Sequence, residues 1–169
     1  RLLELRPNAR VLIVGGDEVS YGSRPTDGRT WRRVMLDELG GSFDASRVHF
    51  LGKLPYAGYL QVLQVSTVHV YLTYPFVLSW SMLEAMSSGC MLVASRTAPV
   101  EEVISDGANG WLVDFFDHTA LAEKVAEALA RRESLAPLRH AARQTIVDRF
   151  DLRRVCLPRQ VALLSSLNR

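Results

Sequence analysis

Short apolar runs that alternate with amphipathic stretches predict an α/β domain, a Rossmann-like doubly wound parallel sheet with helices on both faces. Three observations carry this. Residues 11–14 form a continuous apolar run of strand length, the pattern of a strand buried on both faces, and 48–51, 68–72 and 91–94 are further short, largely apolar stretches that read as strands, the first two of these interrupted only by His49 and His69. The segments between them place apolar residues at helical spacing. Glycines or polar turns punctuate the changes of period, as at Gly15-Gly16, Gly52 and Gly40-Gly41.

Taken in order, residues 1–7 read as the last turns of a helix that Pro7 and Asn8 terminate. With no methionine at its start, the chain is expected to be a fragment of a longer polypeptide. The strand over 11–14 leads into a polar loop, 17–28, longer than the usual strand-to-helix turn. Trp31, Val34, Met35 and Leu39 then mark a helix over 30–39. A second strand follows at 48–51, and Pro55 suits the first turn of a helix reaching about Gln64. The third strand covers 68–72, and the helix over 79–88 carries Glu84. After the fourth strand, 91–94, come a short helix at 99–104, a turn at 107–110 and a last strand at 111–113. Asp117 caps a helix with Leu121, Val125, Ala128 and Leu129 at helical intervals. Helices over 136–149 and 152–167 finish the chain, Pro158 bending or interrupting the second. Residues 1–169 are expected to form a single domain.

Of 169 residues, 48% are apolar, enough for a substantial core and against disorder. The 20 basic and 18 acidic residues are intermixed and leave a net charge of +2, so the chain has neither a nucleic-acid stripe nor a polybasic tail. No apolar run reaches the ~18 residues of a membrane span, and no signal peptide opens the chain. Cys90 and Cys156 lie in apolar surroundings without metal-ligand spacing and read as free thiols of a reducing compartment, which predicts a cytoplasmic location. His49, His69, His118 and His140 are scattered without a metal-binding pair.

In a doubly wound sheet ligands bind outside the carboxyl ends of the strands. That directs attention to Gly15-Gly16 and to residues 52–55, 73–79 and 95–99. Gly15-Gly16 lets backbone approach a ligand, but its spacing matches no phosphate-loop signature, and a tight turn explains it equally well. The helix near Ser79 offers unpaired N–H groups and the positive end of its dipole to an anion. At ~3.6 residues per turn, Glu84 shares a face with Ser81 and Ser88, while Met82, Ala85, Met86 and Gly89 turn to the sheet. A carboxylate so placed can accept from two adjacent sugar hydroxyls. Ser81-x-x-Glu84 is also a capping-box spacing, in which Glu84 serves only its own helix. Residue chemistry alone leaves these two readings open.

Three stretches carry a resemblance: Val-His-Phe-Leu-Gly-Lys-Leu-Pro from Val48, Leu-Glu-Ala-Met-Ser-Ser-Gly-Cys from Leu83, and Pro-Val-Glu-Glu-Val-Ile-x-Asp-Gly-x-Asn-Gly-Trp-Leu-Val from Pro99. Together they resemble the C-terminal domain of the large retaining glycosyltransferase family called family 4 or group 1. The resemblance implies the GT-B fold, two Rossmann-like domains facing a cleft, of which this chain is the C-terminal, donor-binding half. It implies a hexosyltransferase whose donor is a nucleotide diphosphate-sugar, with neither cofactor nor obligatory metal. By position, Glu84 binds the ribose hydroxyls and Lys53 and Leu54 flank the base, largely through backbone. Val77, Leu78 and Ser79 offer N–H groups to the diphosphate, and Thr73 stands where a serine is usual. Gly16 and Glu102 complete the expected donor-binding set. Phe76 replaces a glutamate that commonly contacts the donor sugar, so that contact is lost or becomes stacking. Glycines usual at 77 and 79 are absent.

The family's basic pair and acceptor site lie upstream of Arg1, so no catalytic residue is assigned in this chain, which alone is not expected to transfer sugar. Helices from about residue 134 are expected to pack back towards the missing N-terminal domain. The resemblance also allows peripheral membrane association of the full-length enzyme. Arg24, Arg29, Arg32 and Arg33 are either diphosphate ligands or solvated surface. Glu101-Glu102 opens the helix after the fourth strand, where negative charge is stabilising in itself. Trp80 and Trp111, in apolar stretches, are expected in the core rather than as sugar-stacking platforms. Two rivals remain: a non-catalytic nucleotide- or partner-binding domain with Glu84 as a cap, and a sugar-nucleotide epimerase on the same scaffold.

Overall fold

The structure is a computed structural model describing residues 1–19, 22–74 and 77–167. The chain divides into two compact units, Arg1–Val62 and Leu63–Arg169.

The first unit contains α1 (Leu2–Leu5), β1 (Val11–Val14), α2 (Trp31–Leu39), a 3-10 turn (Ala45–Arg47), β2 (Val48–Gly52) and most of α3 (Tyr56–Val65). β1 and β2 are parallel, Val11 opposite Val48 and Ile13 opposite Phe50. β2 ends at Gly52, whose φ of +66° suits a residue without a Cβ. α2 begins where Thr30 accepts a hydrogen bond from the Arg33 N–H at 3.2 Å. The expectation that β1 is buried on both faces fails within this unit: Leu12 and Ile13 are 39% and 41% exposed. The reason is packing. α2 stands away from the strands, and Ile13, Phe50, Met35 and Leu39 line an open cavity of about 740 Å³ instead of closing on one another.

The second unit contains β3 (Val68–Tyr71), α4 (Trp80–Ser87), β4 (Met91–Ser95), α5 (Ala98–Glu101), β5 (Trp111–Val113), α6 (His118–Ala130), α7 (Ala136–Phe150), a π-helical turn (Leu152–Cys156) and α8 (Leu157–Leu167). Its sheet is parallel in the order β3-β4-β5. All five residues of β4 are buried. Because successive side chains point to opposite faces, continuous burial requires cover on both sides. That cover comes from α6, packed on β3, β4 and β5, and from α4 and α7, packed on each other and on β4. Met82, Ala85, Met86, Leu92, Val93 and Val100 are wholly excluded from solvent and form the centre of the core. Burying each large aliphatic side chain is worth ~1.5–3 kcal/mol before entropy is counted.

Local signals start and stop these helices much as their residue types dictate. Asp117 accepts from the Ala120 N–H at 2.8 Å and caps α6. Pro158 falls in the first turn of α8, where its missing N–H is tolerated, and the register change lies just before it in the π-helical turn. Glu101 and Glu102 close α5 rather than open it, Glu102 being its C-cap, because the helix already begins at Ala98. Trp111 is 8% exposed, as expected of a core residue. Trp80 is not: it is 81% exposed, since as the first residue of α4 it lies on the side of the helix opposite Met82, Ala85 and Met86. Among the described residues no helix is long and apolar enough to cross a membrane.

Candidate functional site

The carboxyl edge of the second unit's sheet is organised around the segment joining β3 to α4. β3 pairs with β4 as far as Tyr71 opposite Ala94. Beyond that point the Ser95 hydroxyl takes over from the ladder, accepting from the Thr73 N–H at 3.0 Å and donating to the Thr73 carbonyl at 3.2 Å. The Thr73 hydroxyl donates to the Tyr74 carbonyl at 3.0 Å. At the far end the Ser79 N–H donates to the Tyr71 hydroxyl at 2.9 Å. Val77 is 71% exposed, Leu78 is half-buried, and Phe76 lies outside the described residues.

Ser79 is the N-cap of α4, its Oγ accepting from the Ser81 N–H at 3.3 Å and lying 3.0 Å from the Ser81 Oγ. The Met82 N–H donates to the Ser79 carbonyl at 3.2 Å. Of the amides expected to face a diphosphate, that of Ser79 is therefore engaged by Tyr71. In the first turn of α4 the Trp80 N–H has no partner among the described residues.

With Ser79 as the cap, Ser81 is the second helical residue and Glu84 the fifth, so the Ser81–Glu84 capping box does not form. Glu84 is half-buried, and its carboxylate has no hydrogen-bond or ion-pair partner among the described residues. Four residues along α4 from the exposed Trp80, it lies on the same face. Thr97, just beyond β4, is 8% exposed, and its hydroxyl has no partner among the described residues. Glu102 is exposed at the end of α5, its carbonyl accepting from Arg149 at 3.0 Å.

In the first unit, Gly16 and Lys53 are brought together where β1 and β2 end. Lys53 pairs with Glu18 at 3.1 Å, and a Cβ on Gly16 would run into both side chains. The hydrogen bond from Lys53 holds the Glu18 carboxyl below its usual range. Leu54 follows, half-buried. The four loop arginines divide: Arg29 pairs with Asp27 and Asp37, Arg33 with Asp37, and Arg32 reaches Asp17 while lying 3.9 Å from the centre of the Phe50 ring. Arg24 borders a small polar hollow of about 210 Å³ with Asp17, Glu18 and Arg29. No three His, Cys, Asp or Glu side chains among the described residues are grouped to hold a metal.

Sequence reasoning did not single out Tyr71, Ser95 or Thr97 as site residues, although 95–99 was one of the segments it marked. Ser95 reaches Thr73 only once β3 and β4 have paired, and Tyr71 reaches Ser79 only once the chain has turned back from β3 into α4, contacts that no local spacing reveals.

This is a Rossmann-like α/β fold of the GT-B type, with a polar, anion-tolerant helix start at the carboxyl edge of a parallel sheet. The chain belongs to the glycosyl transferases group 1 family, whose model matches residues 1–145. It is 32% identical over 139 residues to the sucrose synthase of Acidithiobacillus caldus, covering 79% of this chain and 18% of that protein. It is 28% identical over 104 residues to the N-acetyl-alpha-D-glucosaminyl L-malate synthase of Bacillus anthracis, covering 62% of this chain and 27% of that one. Among solved structures, Anabaena HepE in complex with UDP-glucose matches with a TM-score of 0.81 at 21% identity, over 98% of this chain and 43% of that one. Sucrose-phosphate synthase from Thermosynechococcus elongatus matches with a TM-score of 0.77 at 23% identity, over 98% of this chain and 40% of its own. The chain thus spans about a fifth to a quarter of these curated relatives and two-fifths of these structural ones.

Proposed function

We propose that this chain is the donor-binding half of a cytoplasmic, retaining hexosyltransferase that uses a nucleotide diphosphate-sugar. The observation that carries the reading is Glu84: a carboxylate without a protein partner among the described residues, on the exposed face of the helix whose first turn tolerates an anion. Glu84 accepts from the two ribose hydroxyls, and the amino end of α4 stabilises the diphosphate as the sugar departs. Thr73, Val77, Leu78 and Ser79, with Phe76 outside the described residues, form the donor-sugar and diphosphate side of the site. Gly16, Lys53 and Leu54, in the first unit, are assigned to the base, and Glu102, in the second, to a supporting role in donor binding. The UDP-glucose bound by the Anabaena relative makes UDP the first nucleotide to try.

The buried free thiol of Cys90 supports a reducing compartment. The exposed apolar side of α8, with Leu157, Val161 and Leu164, is the surface proposed to meet the acceptor-binding half of the same polypeptide. The acceptor, and with it any membrane contact, is set by that other half.

Thermal shift of the full-length protein with UDP, GDP and ADP tests the reading. One nucleotide should raise the melting temperature in a concentration-dependent way, and Glu84→Ala should abolish the rise. No shift with any of the three would overturn it.

A further inference from the structure

We propose that Tyr71 and Ser95 are positioning residues for donor binding: two strand-borne hydroxyls that hold the ends of the Thr73–Ser79 connection and so aim the first turn of α4 at the donor's diphosphate. The inference rests on the donor-binding reading above.

Just past β3 the sheet leaves backbone unpaired. β3 stops at Tyr71, yet Thr73, two residues on, has both an N–H and a carbonyl to satisfy. The Ser95 hydroxyl serves both, because one oxygen can accept and donate at once. Ser95 is wholly buried in β4, so this tie is anchored in the strand that is buried along its whole length. The other end of the connection is tied by Tyr71, 6% exposed, through the Ser79 N–H. Side chains of adjacent strands thus hold the point where the chain leaves the sheet and the point where it enters α4.

This arrangement has a consequence for the ligand. With the Ser79 amide spent on Tyr71, and those of Ser81 and Met82 spent on Ser79, the Trp80 N–H is the first-turn donor left without a partner among the described residues. An anion at this helix start is received by that one amide and the neighbouring serine hydroxyls, in an orientation that the Tyr71 tie determines. Loosening the tie should weaken recognition of the diphosphate while leaving the ribose contact of Glu84 intact.

The test uses the full-length protein and titration calorimetry. UDP, GDP and ADP are screened, and the tightest binder is compared with its own nucleoside, measured by competition. In Tyr71→Phe, which keeps the ring, and in Ser95→Ala, the diphosphate should bind about tenfold more weakly, the equivalent of one hydrogen bond. The nucleoside should bind within about twofold of wild type, so the ratio of the two affinities falls. Lower melting temperatures with an unchanged ratio would make both residues merely structural and overturn the inference. Failure of the wild type to bind any of the three nucleotides, or of Glu84→Ala to weaken binding, would overturn the donor-binding reading and this inference with it. Tyr71→Phe suffices if Ser95→Ala does not fold.

Discussion

Glu84 sits five residues past its N-cap, beyond reach of the cap's backbone and without a compensating cation among the described residues. A carboxylate in that position does little for the fold. We expect Glu84→Ala to change unfolding free energy by less than about 0.5 kcal/mol, as at other surface positions without contacts. Its effect on nucleotide affinity should be far larger, about 10- to 100-fold, the worth of hydrogen bonds to a charged group; denaturant melts and calorimetry on one preparation separate the two. Trp80 invites the same comparison. A core tryptophan replaced by alanine would cost about 3–5 kcal/mol. At 81% exposure, Trp80→Ala should cost less than about 0.5 kcal/mol in urea unfolding. Its side chain, beside Glu84 on the open face of α4, restores the sugar-stacking option that its apolar neighbours in sequence argued against. Cys90 is the opposite case: burial pushes its thiol up to about 11, and it donates to the Leu63 carbonyl at 3.1 Å. Alkylation at pH 8 followed by mass spectrometry should modify Cys156 well before Cys90.

The elements differ in how much of themselves the sequence displays. α4 was legible at both ends and on its inward face. The apolar residues Met82, Ala85 and Met86 recur at helical spacing, and the helix is bracketed by Ser79 and Ser88. Its cap was less so: two serines compete for the role, and only the turn of the chain at Ser79 selects the first. Ser79→Ala should cost about 0.5–2 kcal/mol, measurable by thermal unfolding. β4 was legible as a strand from its unbroken apolar run, and its central position follows from being buried along its whole length. Leu92→Ala there should cost about 2–5 kcal/mol, because a strand covered on both faces cannot collapse around the cavity left behind. β1 shows the same kind of run, yet is half-exposed in its own unit, since an apolar stretch specifies a wish for cover and not the cover itself.

At the scale of the molecule, the two compact units have unequal cores, the second holding all the buried side chains among the described residues. One of its strands also carries a titrating group. Burial holds His69 below its ordinary value of 6.5, so the folded chain keeps it neutral while the unfolded chain takes up a proton. Since the unfolded state then binds more protons, stability should fall as pH drops below about 6.5 and level off above it. His69→Gln should flatten that part of the profile in melts between pH 5 and 8. The sequence by itself determined the order and kind of the elements, the helix that carries Glu84, and the family motifs, because caps, periods and turn residues act over a few positions of chain. Only the tertiary structure decided that Glu84 is not a cap, that Trp80 faces outward, and that Ser95 reaches Thr73 and Tyr71 reaches Ser79. Those outcomes depend on the register of neighbouring strands and on what covers each face, and residues 22 apart, like Ser95 and Thr73, meet only once the sheet has formed.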